Sequence, residues 1–316
     1  MTDTIVRPKL DDLWTLPVNP DIHNLVRHFG IEYEMFPRPT HDQVERFFTG
    51  AATEGLCQAD RIHDYHCGHD GEGDCSTCDP RRDEHQPNAR LFAAQYDSSC
   101  GIEFVSHILD ITDPDDLTKM AAWIDYVESW KERGEWMPDG VTSNGNHIHV
   151  SACGGRDRDE YSPLFDDDVR SQAMTIASWA YVAYDWRRVA DGGCGQLRPY
   201  NRRPTAAYDG YTWLNDRGYG TWEHRLWNTP RDPERLWVST GISVALTRWA
   251  FSRATVPNLV PVWNGDTWQS PPSDISPLHS YLNHIADFKA GLIANLPDDP
   301  RFAIAAELID SQLTIY

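Results

Sequence analysis

The sequence predicts an α+β fold: a largely antiparallel sheet covered by helices. Two observations carry that expectation. Several segments of five to eight residues alternate strictly between apolar and ionisable side chains, the period of a half-buried strand. Between them lie segments of helical period and one tight hairpin, in the order strand, helix, insertion, hairpin, helix, strand, helix, basic loop, strand, helices. That mixture lacks the regular strand–helix alternation of a parallel α/β sheet.

The first strand is Phe29-Gly30-Ile31-Glu32-Tyr33-Glu34-Met35-Phe36. Ile31, Tyr33 and Met35 share one face, and Glu32 and Glu34 share the other, about 7 Å apart along the strand. Two carboxylates so close repel unless a cation lies between or beside them, and hard oxygen ligands suit Mg²⁺ or Mn²⁺. An isolated Glu-x-Glu is most simply an exposed strand face. Here the pattern recurs on three later segments. Thr40 and Gln43 form a capping box that opens a helix carrying Val44, Phe47 and Phe48.

Residues 54–90 are rich in Cys, His, Asp and Gly and nearly free of aliphatic residues beyond Ile62. Such a stretch buries little apolar surface and needs another source of order. Cys67, Cys75 and Cys78, with His66 among the available fourth ligands, make a structural Zn²⁺ one reading. A polar loop with incidental cysteines is the other. The segment is taken as an insertion within one domain spanning residues 1–316.

Residues 91–96 and 102–106 form a hairpin with Asp97 at its tip. Glu103 lies on the returning strand, opposite in face to Ile102 and Phe104. An amphipathic helix follows, capped by Thr112 or Asp113, with Leu117, Met120, Ala121, Ile124 and Val127 as its stripe. The segment Asn144-Gly145-Asn146-His147-Ile148-His149-Val150-Ser151 is a turn and a strand that puts His147 and His149 on one face. Residues 167–190 are helical by period. Next comes the basic run Arg198-Pro199-Tyr200-Asn201-Arg202-Arg203, read either as a solvated surface or as an anion site, where Arg offers planar, bidentate donors. The last alternating strand, residues 220–227, puts Glu223 and Arg225 on one face and Trp222, His224 and Leu226 on the other. A helix over 233–253, apolar nearly all round, is expected to be buried. A helix opening at Ser276-Pro277 and one over 299–312 complete the chain.

Composition excludes some partners. Forty-eight acidic against 28 basic residues give a net charge of −20, which argues against a broad nucleic-acid or anionic-membrane surface. No apolar run is long enough for a membrane span, and residues 1–4 lack a secretory pattern, so a cytoplasmic location with reduced thiols is expected. One sheet face then collects Glu32, Glu34, Asp97, Glu103, His147 or His149, Glu223 and Arg225. So much acid requires neutralisation, and two or more divalent ions gripping a nucleotide triphosphate meet that need.

The ordered set Gly30-Ile31-Glu32-Tyr33-Glu34, Asp97 to Ser106, Asn146-His147-Ile148-His149-Val150-Ser151 and Thr221-Trp222-Glu223-His224-Arg225 resembles the amidoligase family. These are carboxylate–amine ligases of the glutamine synthetase and glutamate–cysteine ligase fold, found in bacteria and their phages. The motifs cover roughly two-thirds of the chain (residues 29–230), and the Cys/His segment falls outside the common pattern. The resemblance implies a curved sheet of the glutamine synthetase-like catalytic type. It implies ATP-dependent amide formation through an acyl phosphate, with Mg²⁺ or Mn²⁺ and with small-molecule or peptide carboxylate and amine substrates. By the resemblance Glu32, Glu34, Asp97, Glu103 and Glu223 hold metal, and His149 matches the family histidine ahead of His147. Glu32, Glu34, Glu223 and Arg225 would also contact the nucleotide through its metal and phosphates. Arg225, with Arg198, Arg202 and Arg203, would stabilise phosphate or substrate carboxylate, and Trp213, Tyr211 or Trp227 would stack on adenine. Self-association stays open. The alternatives are a metal-dependent hydrolase on the same residues, or a non-catalytic scaffold docking through the Cys/His insertion.

Overall fold

The computed structural model describes residues 21–35, 46–56 apart from 48 and 52, 63–64, 92–96, 102–133, 145–155, 167–184, 186, 189, 203–207, 212–216, 220–228, 232–254 and 285–314. In chain order the elements are α1 (Ile22–Leu25), β1 (His28–Met35), β2 (His63–Asp64), β3 (Phe92–Tyr96), β4 (Ile102–Ser106), β5 (Leu109–Asp110), α2 (Pro114–Glu132), β6 (Gly145–Ser151), α3 (Asp167–Ala183), β7 (Arg203–Ala207), β8 (Thr212–Asp216), β9 (Thr221–Asn228), α4 (Leu236–Ala254), α5 (Ile285–Ala294) and α6 (Ala303–Gln312). The helices expected at Thr40–Gln43 and at Ser276-Pro277 begin outside the described residues.

All described strands join one sheet in the order β2-β3-β4-β1-β6-β9-β8-β7, with β5 paired to the start of β1. The centre, β3 through β8, is antiparallel as the alternating segments predict. The two outermost pairs, β2 with β3 and β7 with β8, are parallel, so the sheet is mixed at its rims. Neither β2 nor β7 is legible in the sequence. Two residues are too few to show a period, and Pro204 lacks the N–H of a central strand. An edge is where a strand tolerates that loss, and β7 is at the edge.

The sheet is held from one side by α4, all of whose residues are buried. Asn146 Nδ2 donates to Ser239 Oγ at 2.7 Å, and Trp227 Nε1 donates to Ser243 Oγ at 2.9 Å. His224 Nε2 meets Thr247 Oγ1 at 2.9 Å, and Trp222 stacks on Phe251 with centroids 4.8 Å apart. Positions 239, 243, 247 and 251 recur every four residues and so share one helix face. The sequence predicts this helix as buried, and its small hydroxyls are what let it lie against strands that carry polar side chains inward. Gly241 lets the C-terminal segment approach: a Cβ there would lie 2.7 Å from a Phe302 ring carbon.

The same helix anchors the run into β1. Arg248, 2% exposed, donates from Nε to the Val26 carbonyl at 2.8 Å, from Nη1 to the Asn295 carbonyl at 3.1 Å and from Nη2 to the His23 carbonyl at 3.3 Å. Burial lowers its guanidinium to about 10, which leaves it charged at neutral pH. On α2 the expected stripe is buried at Leu117, Met120, Ile124 and Val127, and it is widened by Trp123, Tyr126 and Trp130 around Phe47. Asp113, not Thr112, caps this helix, with Oδ1 accepting from Asp115 N–H at 2.9 Å. Among the described residues no helix is long and apolar enough to cross a membrane.

Candidate metal centre on the open sheet face

Strand register decides which side chains share a face, because residues directly opposite in an antiparallel ladder project the same way. Glu32 is opposite His147, and Gly30 is opposite His149. His149 is opposite Glu223, Glu223 is opposite Asn215, and Glu34 is opposite Glu103. Glu32, Glu34, His147, His149, Glu223 and Asn215 therefore occupy one face, and Glu103 holds the register position opposite Glu34. Ile31, Tyr33, Ile148, Val150, Trp222 and His224 occupy the other, which is the buried one.

His147 is the hub. Its Nδ1 is 3.1 Å from Glu32 Oε2 and 3.3 Å from Glu223 Oε1, and its Nε2 is 3.8 Å from Glu34 Oε1. His149 Nε2 is 2.9 Å from Glu32 Oε1. Glu223 is 1% exposed on its side chain and receives Arg225 Nη1 on Oε1 at 2.6 Å. Its Oε2 accepts from Asn215 Nδ2 at 3.1 Å. Glu34 Oε2 accepts the Gly145 N–H.

Burial pushes the Glu32 carboxyl up, yet the charge of His149 and the hydrogen bond from His147 outweigh it and hold the group well below the usual carboxylate range. Glu223 follows the same balance. Burial raises it, His147 and His149 lower it, Glu32 raises it and Arg225 lowers it, and the net direction is down. Both groups are thus carboxylates at neutral pH.

A single ring nitrogen carries at most one proton, yet Nδ1 of His147 sits between two carboxylate oxygens. Nδ1 and one oxygen each from Glu32 and Glu223 lie within 4.8 Å of one another. Adjacent ligands of an octahedral ion bound at about 2.0–2.1 Å stand about 3 Å apart, close to the 3.1 and 3.3 Å seen here. The donor set, one imidazole and two hard carboxylates, fits a divalent cation. Glu34 lies across the ring, on the Nε2 side, so it is placed apart from this trio.

His224 shows the contrast. Thr247 Oγ1 donates to the Ser243 carbonyl at 2.9 Å and so accepts from His224 Nε2–H. Nδ1 then accepts from the Tyr181 hydroxyl at 2.9 Å. Burial, with His149 adding to it, lowers His224 to about 3. This histidine is a neutral part of the core.

Several residues fall differently from the sequence expectation. His147, not His149, lies between the two carboxylates. Trp227 is 1% exposed and committed to Ser243, so it faces α4 and cannot stack on a nucleotide. Leu226 is fully buried in the core as expected, but β9 carries one extra residue between His224 and Trp227, a bulge opposite His147, and Trp227 takes the inward place opposite Asn146. Glu103 and Arg203 are placed by backbone alone, Arg203 at the edge strand β7. Asp97, Arg198, Arg202, Tyr211, His66, Cys67, Cys75 and Cys78 lie outside the described residues. Sequence reasoning missed Asn215. Hairpin register across 216–221 was the signal available, and an uncharged residue in an unrecognised strand gave no other.

No family model and no curated protein matches the chain. Solved structures do match. The complex between the prokaryotic ubiquitin-like protein Pup and its ligase PafA matches at 11% identity over 90% of this chain and 62% of that one, with a TM-score of 0.39. A GmaS/ADP complex matches at 11% identity over 95% of this chain and 70% of that one, TM-score 0.42. Apo GmaS without ligand matches at 12% identity over 96% and 72%, TM-score 0.43. The chain thus spans less than two-thirds of the length of the matched Pup ligase. Likenesses at such TM-scores carry no weight for the chemistry of the site, which rests on its own residues.

Proposed function

We propose that the chain is an ATP-dependent carboxylate–amine ligase that makes an amide bond through an acyl phosphate. The observation that carries this reading is the face on which Glu32, Glu34, His147, Glu223 and Arg225 converge. Three carboxylates sharing two imidazoles and one guanidinium are arranged to bind cations first and polyanions through them. The motif order that resembles the amidoligases supports the same reading.

Glu32, His147 and Glu223 would hold one Mg²⁺ or Mn²⁺, and Glu34 would contribute to a second position beyond Nε2. A divalent ion there supplies charge neutralisation for phosphoryl oxygens. The chain's own residues do the rest. Arg225 stands beside Glu223, where its guanidinium would meet a phosphate or substrate carboxylate. Arg203, at the sheet edge, and Arg198 and Arg202 belong to the same proposed anion site. The substrate carboxylate oxygen attacks the γ-phosphorus of ATP, ADP leaves, and the amine nitrogen then displaces phosphate from the acyl carbon while losing a proton. Phosphoryl transfer of this kind depends on positioning and charge more than on a general base. Asp97 and Glu103 would add carboxylates to the metal face, and a Zn²⁺ on Cys67, Cys75, Cys78 and His66 would order the insertion.

The test is a pooled screen of carboxylates and amines with ATP and Mg²⁺, read by mass spectrometry for a condensed product and by ADP release. ADP release that requires both a carboxylate and an amine, and vanishes in Glu223→Gln, is the expected result. ADP release indifferent to the amine would make the centre a hydrolase. A protein that neither binds nor turns over ATP would be a scaffold.

A further inference from the structure

We propose that Asn215 is a positioning residue that makes the Glu32–His147–Glu223 centre select a small six-coordinate cation, Mg²⁺ or Mn²⁺, over Ca²⁺, by confining Glu223 to one-oxygen coordination. The inference rests on the metal reading of the site.

Asn215 is 2% exposed, and β8 sets it directly opposite Glu223. Its amide orientation is fixed by chemistry: a carboxylate only accepts, so the NH₂ end must face Oε2, at 3.1 Å. Its Oδ1 is buried and makes no hydrogen bond among the described residues. The side chain therefore serves this single donation. The two oxygens of Glu223 are in consequence unlike. Oε2 belongs to the buried amide, while Oε1 turns to Arg225 and His147.

Glu34 repeats the division. Its Oε2 accepts the Gly145 N–H and its Oε1 turns toward His147. Glu32 lies between two rings, Oε1 toward His149 and Oε2 toward His147. Each carboxylate thus offers His147 one oxygen and engages a different nitrogen with the other.

Coordination chemistry gives this division a consequence. Ca²⁺ takes six to eight oxygens at about 2.3–2.6 Å and gains from bidentate carboxylates; Mg²⁺ takes six at about 2.0–2.1 Å. For Glu223 to bind through both oxygens, Oε2 must share its charge between the ion and the Asn215 amide or turn from that amide, and either weakens a buried hydrogen bond. That penalty falls on the large ion and spares the small one.

The experiment is a Mn²⁺ titration of the full chain followed by electron paramagnetic resonance, with Mg²⁺ and Ca²⁺ as competitors. In the wild type Mg²⁺ should displace Mn²⁺ at least about tenfold more effectively than Ca²⁺, the scale on which outer-shell partners act. In Asn215→Ala that preference should shrink to about twofold or less. Equal competition in the wild type, or an undiminished preference in Asn215→Ala, overturns the proposal. Infrared spectra of wild-type protein carrying ¹³C-carboxyl glutamate provide a measurement that needs no variant. One-oxygen splitting of the carboxylate stretches with Mg²⁺ supports the proposal, and a two-oxygen signature overturns it. No Mn²⁺ binding at all, or binding unchanged in Glu223→Gln, is distinguishable from these results and removes the metal centre itself.

Discussion

Two clusters of histidine and carboxylate sit on the same sheet, and their contents differ less than the way their acids are grouped. In the first, at the start of β1 and β5, Asp110 Oδ1 accepts from Thr112 N–H at 2.9 Å and from its hydroxyl at 2.7 Å. Its Oδ2 is 3.3 Å from Arg27 Nε and 3.6 Å from His28 Nε2. Asp116 Oδ2 accepts the Asp110 N–H at 2.8 Å, and Oδ1 is 3.3 Å from Lys119 and 3.7 Å from His107. Two acids thus meet two permanent cations plus backbone and hydroxyl donors. In the second cluster Glu32, Glu34 and Glu223 all turn an oxygen toward His147, and Arg225 pairs with Glu223. Both clusters contain two histidines. Only in the second do three carboxylates converge on one imidazole, an arrangement suited to a shared divalent cation.

The largest effect expected from this contrast is in metal affinity. Glu223→Gln should weaken Mn²⁺ binding at least about 100-fold, beyond what an outer-shell partner costs. It should also abolish the stabilisation a bound ion confers, about 2.7 kcal/mol at 100 times its Kd. Wild-type affinity in Glu223→Gln would erase the difference between the clusters.

A third histidine sharpens it. His224 has neutral partners on both nitrogens, so His224→Leu leaves the Tyr181 hydroxyl buried without its acceptor and takes from Thr247 Oγ1 the donor it accepts, while its own donation to Ser243 remains. Urea denaturation should show a loss of about 2 kcal/mol. A loss near zero would mean that the core face does not depend on this chain of hydrogen bonds.

Smaller still is a pH effect in the first cluster. Burial raises Asp116, but the His107 hydrogen bond, the Asp110 N–H and Lys119 outweigh it and bring the group down to about 2. The unfolded carboxyl titrates near 3.9. Because the folded value is the lower, the stabilisation is present above about pH 4 and is lost as pH falls toward 2. Asp116→Asn should remove that part of the acid dependence, measured as the slope of stability between about pH 4 and pH 2. A slope identical to wild type would refute it. The smallest expected change is none: Asp110→Asn, in the saturated cluster, should leave Mn²⁺ affinity as in wild type while lowering Tm.

Much of this was legible in the chain. Period-two alternation located β1, β4, β6 and β9 and put Glu32, Glu34, Glu103, His147, His149 and Glu223 on one face. Helical period located α2, α3 and α4. What the sequence withheld depends on contact between strands. His147 and His149 are equivalent by period, and only register with Glu32 and Glu223 separates them. Asn215 carries no charge or pattern and acquires its role from the residue across the ladder. The bulge in β9 is invisible locally, and it turned Trp227 from a candidate nucleotide contact into a core residue.

That extra residue also works as a spacer between two different pitches. Strand residues two apart advance about 6.6 Å, and helix residues four apart about 6 Å. Trp222 and His224 meet Phe251 and Thr247 in this near-matched step. His224 and Trp227 are three apart, which without the bulge would span about 10 Å, yet they occupy two steps of β6 and meet Thr247 and Ser243, one turn apart. The bulge takes up the mismatch, so sheet and helix stay in phase beneath Glu223 and Arg225. Removing one residue between 224 and 227 would put the strand out of step with its support, and the first loss would be the aim of those two side chains.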